Sequence, residues 1–191
     1  RLIPQVQAIL DVNTGMRLFR GKNKAPGWMA LSWSEGGLCV AHTRPGPQGK
    51  DGGKPVVTVC GVVEASPENP ASVARAAREM RMANYRCSTL LELNDYQMLV
   101  VEAPNVPADE LKAAMRWRVK DMLDYHIDDA TIDVLDIPPD KNGPARAHSM
   151  YAVAARNEVI QKRVAQCDEA KIPLEVIDIP EMAQRNIANL I

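Results

Sequence analysis

The run Leu174-Glu175-Val176-Ile177-Asp178-Ile179 is nearly all apolar, and Pro180 follows it at once. An apolar run of strand length reads as a strand covered on both faces. Proline is best tolerated at the first position of a helix, where its missing N–H leaves no bond unmade. The junction therefore joins a strand directly to a helix, with Ala183, Ile187, Leu190 and Ile191 along one side. A chain built on such a junction belongs in the α/β class.

The rest of the chain supports that class. Residues 28–34 and 38–42 read as strands around Glu35-Gly36-Gly37, a turn expected to need positive φ. A Gly/Pro/Lys-rich loop spans 44–55, and the β-branched stretch 56–63 is a third strand. Asn69 then caps a helix begun by Pro70, with Val73, Ala76, Ala77 and Met80 on one face and an end near Asn84. Strands are expected over 87–93 and 96–102. A second helix begins at Pro107, with an apolar stripe of Leu111, Ala114, Met115, Val119, Met122 and Leu123. Strands at 131–137 and 150–155 flank a polar loop over 138–144. A helix capped by Asn157 follows, burying Ile160, Val164, Cys167 and the stem of Lys171.

Composition narrows the function. With 191 residues and a net charge of −1, the chain supports one sizeable core or two small subdomains. Its Lys and Arg are scattered rather than striped, which argues against nucleic acid. Cys39, Cys60, Cys87 and Cys167 form no C-x-x-C pair and adjoin apolar runs, as reduced, buried thiols of a cytoplasmic protein do. His42, His126 and His148 are isolated and read as surface or loop residues, so no metal site is expected. No run reaches the ~18–20 apolar residues of a membrane span, and no secretory leader is expected. Met16 opens a run that resembles a bacterial start, which makes 1–15 an extension of uncertain origin. The basic residues Arg17, Arg20, Lys22 and Lys24 read as a solvated arm.

Several runs in order carry a family resemblance. They are Tyr85-Arg86-Cys87-Ser88-Thr89-Leu90-Leu91, Val101-Glu102-Ala103-Pro104, Arg116-Trp117-Arg118-Val119-Lys120-Asp121, Asp128-Asp129-Ala130-Thr131-Ile132-Asp133 and Val176-Ile177-Asp178-Ile179-Pro180-Glu181. Together they resemble the PilM-like assembly proteins of bacterial type IV pili, relatives of the cell-division protein FtsA, and within them the MshI-like branch of the MSHA pilus. The resemblance implies the first lobe of an actin-like, ribonuclease-H-like fold. Residues 16–95 and 172–191 would form the lobe, and 96–171 an inserted β-α-β-β-α subdomain. It also implies a chain that stops where a second lobe begins.

In actin-like ATPases the first β-turn cradles phosphate with backbone N–H groups, and a carboxylate holds Mg²⁺ through water. This chain has Ser32-Trp33-Ser34-Glu35-Gly36-Gly37 there. Ser32, Ser34, Gly36 and Gly37 would be a degenerate phosphate loop, lacking the aspartate and crowded by Trp33. The expectation is a protein that is not an enzyme, with no catalytic residues, no metal and no cofactor. Asp178 and Glu181 read as helix-start charges, and Asp128, Asp129 and Asp133 lack the glycine and glutamate of a calcium loop.

The resemblance implies instead a cytoplasmic scaffold at the inner membrane. It would hold the cytoplasmic tail of a PilN-like inner-membrane protein in a groove beside the inserted subdomain. Trp117, Val119, Leu123, Tyr96 and Met98 are the candidate contacts, and Arg116, Arg118 and Lys120 beside Trp117 offer a basic patch. Homo-oligomerisation is compatible with this reading. The alternatives are an actin-superfamily nucleotide-binding ATPase and a GspL-like cytoplasmic domain of a secretion system.

Overall fold

A computed structural model describes residues 24–47, 53–138 and 148–189. The extension 1–15, Arg17, Arg20, Lys22, Leu190, Ile191, residues 48–52 of the first expected loop and 139–144 of the second lie outside those residues. In chain order the elements are β1 (Trp28–Ser34), β2 (Gly37–Arg44), β3 (Val56–Val63), α1 (Pro70–Glu79), β4 (Arg86–Leu90), β5 (Tyr96–Glu102), α2 (Leu111–Val119), β6 (Ala130–Asp136), β7 (Ser149–Arg156), α3 (Asn157–Glu169), β8 (Leu174–Asp178) and α4 (Pro180–Ala188). The chain divides into two compact units. One holds the described residues up to Leu91 and from Gln161 onward, the other Glu92–Ile160.

The first unit is built on a sheet of order β3-β2-β1-β4-β8. β1, β2 and β3 form an antiparallel meander, and β4 and β8 run parallel to β1 on its other side. This is the strand order of an actin-like lobe. Alternation along the strands buries Met29 and Leu31 of β1, Leu38 and Val40 of β2, Cys87 and Thr89 of β4, and Ile177 of β8. α1 adds Val73, Ala76 and Ala77, the i, i+3, i+4 set expected of its sequence. Its start is as expected too: Pro70 sits at the first position and the Asn69 side chain accepts from the Ser72 amide at 3.3 Å.

Several boundaries differ from the sequence reading. α1 ends at Glu79, because Arg81 takes φ +50° and the chain leaves the helix for a 3₁₀ turn at Met82–Asn84. β4 stops at Leu90, since Glu92 and Asp95 close a turn that leaves Leu93 exposed. β8 is not covered on both faces: it ends the sheet, and only Leu174 and Ile177 are buried. α4 buries Met182 while Ile187 is exposed, and Lys171, at φ +60°, lies beyond α3. His42 is buried rather than superficial, tilted against Tyr85 with ring centroids 4.5 Å apart. Cys87 and Cys167 are buried as expected, but Cys60 is exposed because β3 is an edge strand.

The second unit is a split β-α-β arrangement. β5 and β6 both pair antiparallel with β7, which lies between them. One sheet face packs against α2 through Val101, Met115, Val119, Ile132, Met150, Ala152 and Ala154. α2 starts at Leu111 rather than Pro107. The stretch before it is a turn, closed by the Glu110 amide on the Pro107 carbonyl at 3.0 Å, and the first helical bond runs from Ala114 to Glu110.

Candidate partner-binding surfaces

The hairpin expected to be a degenerate phosphate loop is tight. Ser34 pairs with Gly37, leaving Glu35 and Gly36 at the tip, and the Ser34 hydroxyl donates to the Gly37 carbonyl at 3.1 Å. Only Gly37 takes a positive φ, +128°; Gly36 does not. A Cβ on Gly37 would stand 2.4 Å from the Val63 carbonyl oxygen, so this glycine serves a close approach of β2 to the end of β3. Gly36 and Gly37 line a cleft of about 620 Å³ that also receives Glu35, Glu64, Arg75 and Arg78. The helix start beside it is already capped by Asn69. A phosphate there would meet the Glu35 and Glu64 carboxylates together with the Arg75 and Arg78 guanidiniums. Ser32 belongs elsewhere, in a concavity on the sheet.

The structure divides the five expected partner contacts. Trp117 projects into solvent from α2, 74% exposed, whereas Val119 is fully buried in the core and presents nothing to a partner. Leu123 is half-buried and packs on that same core. Leu99 of β5 also packs there, so alternation sends Tyr96 and Met98 to the opposite face of the sheet. Of the expected apolar stripe, Met115 and Val119 are buried on α2, but the helix ends at Val119 and Met122, in the 3₁₀ turn beyond it, is exposed. Helical spacing alone carries no information on which side of the sheet α2 lies, and it lies on the face away from Tyr96 and Met98.

Around Trp117 a cleft of about 310 Å³ is lined by Ala113, Arg116, Lys120, His126, Ile127 and Asp128. Lys120 places its Nζ 5.4 Å from the Trp117 ring centroid. Arg116 does not join an open basic patch. Its guanidinium donates to the carbonyls of Ile127 at 2.9 Å and Ala130 at 3.1 Å, which ties α2 to the start of β6. Two of the three aspartates considered for calcium are engaged with cations: Asp128 with Arg116 at 3.6 Å, Asp133 with Lys112 at 3.6 Å. Asp178 accepts from the Ile179 amide at 2.9 Å, a local role at the entry to α4.

A second surface was not anticipated. The sheet face of the first unit that carries Ala30, Ser32, Ala41, Cys60, Val62 and Val176 is an open concavity of about 590 Å³. Its outer border is β3, where Val57 and Val62 are more than half exposed. The uncharged run Val56–Val63 marked a strand, but a central strand carries the same composition, so the run could not reveal an edge.

Residues 64–191 match the family described as type IV pilus assembly protein PilM. The solved PilM-PilN type IV pilus biogenesis complex is similar, with TM-score 0.64 and 17% identity over 82% of this chain and 48% of that one. So is the cytoplasmic domain of EpsL, an inner membrane component of the type II secretion system of Vibrio cholerae, with TM-score 0.53 and 12% identity over 80% of this chain and 56% of that one. This chain spans about half the length of those solved chains. No curated protein matches it in sequence. At such identities the structural likeness concerns the fold.

Proposed function

The chain belongs to the type IV pilus assembly protein PilM family, and we propose that it acts there as a scaffold that binds the cytoplasmic tail of a PilN-like inner-membrane protein. The observation that carries this reading is Trp117, a large aromatic held 74% exposed above a cleft in the second unit. Tryptophans in such settings dominate protein interfaces, because they bury much area at little cost in conformational freedom. The Lys120 ammonium beside the ring suits a carboxylate on the incoming peptide. A solved relative is described as a complex with PilN, which gives the partner its chemistry.

The proposal places the chain in the MSHA pilus system, as an MshI-like protein at the cytoplasmic face of the inner membrane. Among the described residues no helix is long and apolar enough to cross a membrane, so attachment would come through the partner. The reading also makes the chain a non-enzyme. The hairpin lacks the magnesium-holding aspartate, and its glycine approach is spent on packing against β3. The test is a titration of the chain with a synthetic partner-tail peptide. Trp117→Ala should weaken binding while leaving the fold intact; undiminished binding would reject the site.

A further inference from the structure

We infer that Thr58 guards the exposed edge of the main sheet: as one inserted residue held by His42, it keeps β3 from serving as a template for a second copy of itself. Among the described residues β3 pairs only with β2 and ends the sheet. Its outer backbone N–H and C=O groups are therefore open to another strand. Charge and proline ordinarily deter such pairing, yet Val56–Val63 contains neither, and Val57 and Val62 stand 59% and 57% exposed. An uncharged edge of this length invites association unless a bulge interrupts it.

The bulge lies in β3 itself. Val57 lies opposite Thr43 and Val59 opposite His42, so Thr58 has no residue facing it on β2. Its hydroxyl is hydrogen-bonded to Nδ1 of His42 and donates to the His42 carbonyl at 3.4 Å. His42 is in turn buried and tilted against Tyr85. The inserted residue is thus tied to a ring that has little room to move.

The insertion sets the two halves of the strand out of phase. Val57, Cys60 and Val62 lie opposite Thr43, Ala41 and Cys39, on the concave face. Val56, Val59, Gly61 and Val63 lie opposite Arg44, His42, Val40 and Leu38, on the other face. Residues paired across an antiparallel ladder must share a face. If β3 met a two-fold copy of itself with Val57 against Val62, Val59 would stand against Cys60, which faces the other way. Centred on Cys60, the pairing would set Val57 against Val63, again mismatched. The longest match left in phase is Val59–Val63. Removing Thr58 alone would restore the phase, because every other residue keeps its partner on β2. Val56 would then meet Val63, Val57 would meet Val62, and Cys60 would meet the Cys60 of the other copy.

This inference stands apart from the tail-binding reading, which uses α2. The test compares the 191-residue chain with the same chain lacking Thr58, by sedimentation equilibrium and by cross-linking the exposed Cys60 with a short bismaleimide. The wild-type chain should give no Cys60 cross-link at any concentration. The deletion should produce a concentration-dependent dimer, at least about tenfold tighter than any wild-type self-association. That dimer should cross-link through Cys60, with no product when Cys60→Ser is added. A wild-type chain that cross-links through Cys60 would overturn the inference. So would a folded deletion variant that stays monomeric, or one that associates without the Cys60 product. Should the deletion fail to fold, hydrogen exchange of the wild-type chain decides. The β3 amides that point away from β2 should exchange equally fast at every concentration, and protection that grows with concentration would overturn the inference.

Discussion

Arg86 donates from Nε to a carboxylate oxygen of Glu175 at 2.8 Å and so bolts β4 to β8 in the parallel half of the main sheet. The same guanidinium lies 4.1 Å from the centroid of Trp28, and Lys24 reaches the other carboxylate oxygen. Three cationic or aromatic groups thus converge where β4 pairs with β8.

That arrangement predicts an acid sensitivity. Partial burial works against charge on Glu175, but hydrogen bonds from Lys24 and Arg86 outweigh it and hold the carboxyl below its ordinary 4.5. A folded value below the unfolded one gives stability that is complete above 4.5 and is lost as pH falls through the folded value. Glu175→Gln should cost about 0.5–1 kcal/mol in urea unfolding at neutral pH, since the pair is part-exposed. The gap between the two proteins should close in acid. A gap independent of pH would refute the role given to this carboxylate.

Neighbouring positions on α2 should behave oppositely. Met115 is fully buried and Trp117 is mostly exposed. Met115→Ala should destabilise the chain by about 2–5 kcal/mol. Trp117→Ala should change stability by no more than about 0.5 kcal/mol yet cost about 2 kcal/mol or more in tail binding. Chemical denaturation and calorimetric titration separate the two effects.

Gly37→Ala is expected to destabilise by more than about 1 kcal/mol. Its φ of +128° disfavours any side chain, and the added carbon would meet the Val63 carbonyl. Gly36→Ala, with only side chains 3.9 Å away, should be nearly silent. Equal losses in thermal melts would refute this division of labour between adjacent glycines.

Thiol labelling should follow burial. Cys87 and Cys167 are pushed up to about 12 by burial, so neither supplies thiolate near neutrality. Cys60 is exposed and should react first with iodoacetamide, while Cys87 and Cys167 should react only on unfolding. Mass spectrometry of a timed quench reads the order directly.

Mg-ATP is expected to leave the thermal melt unmoved. A ligand at a hundredfold over its Kd would add ~2.7 kcal/mol, which a melt detects easily. A shift abolished by changes at Ser34 or Gly37 would favour the nucleotide-binding alternative instead.

Element type was largely written in local chemistry. Asn69-Pro70 starts α1 and Pro180 starts α4 because proline pre-sets φ and spares an amide. The runs at 28–34, 56–63 and 96–102 form strands because branched and aromatic side chains suit a pleated surface. Boundaries were less legible where one backbone angle decided them, as at Arg81.

Orientation across the fold was not local at all. Trp117 and Val119 stand two positions apart on one helix, yet one meets solvent and the other the core, because β5, β6 and β7 lie on only one side of α2. Likewise Val56–Val63 carries the composition of a buried strand and becomes an exposed edge only because no described strand lies beyond it. Propensity acts between near neighbours along the chain and so can be read from residue order. Exposure depends on segments that meet across long stretches of sequence, and those meetings exist only once the tertiary structure has formed.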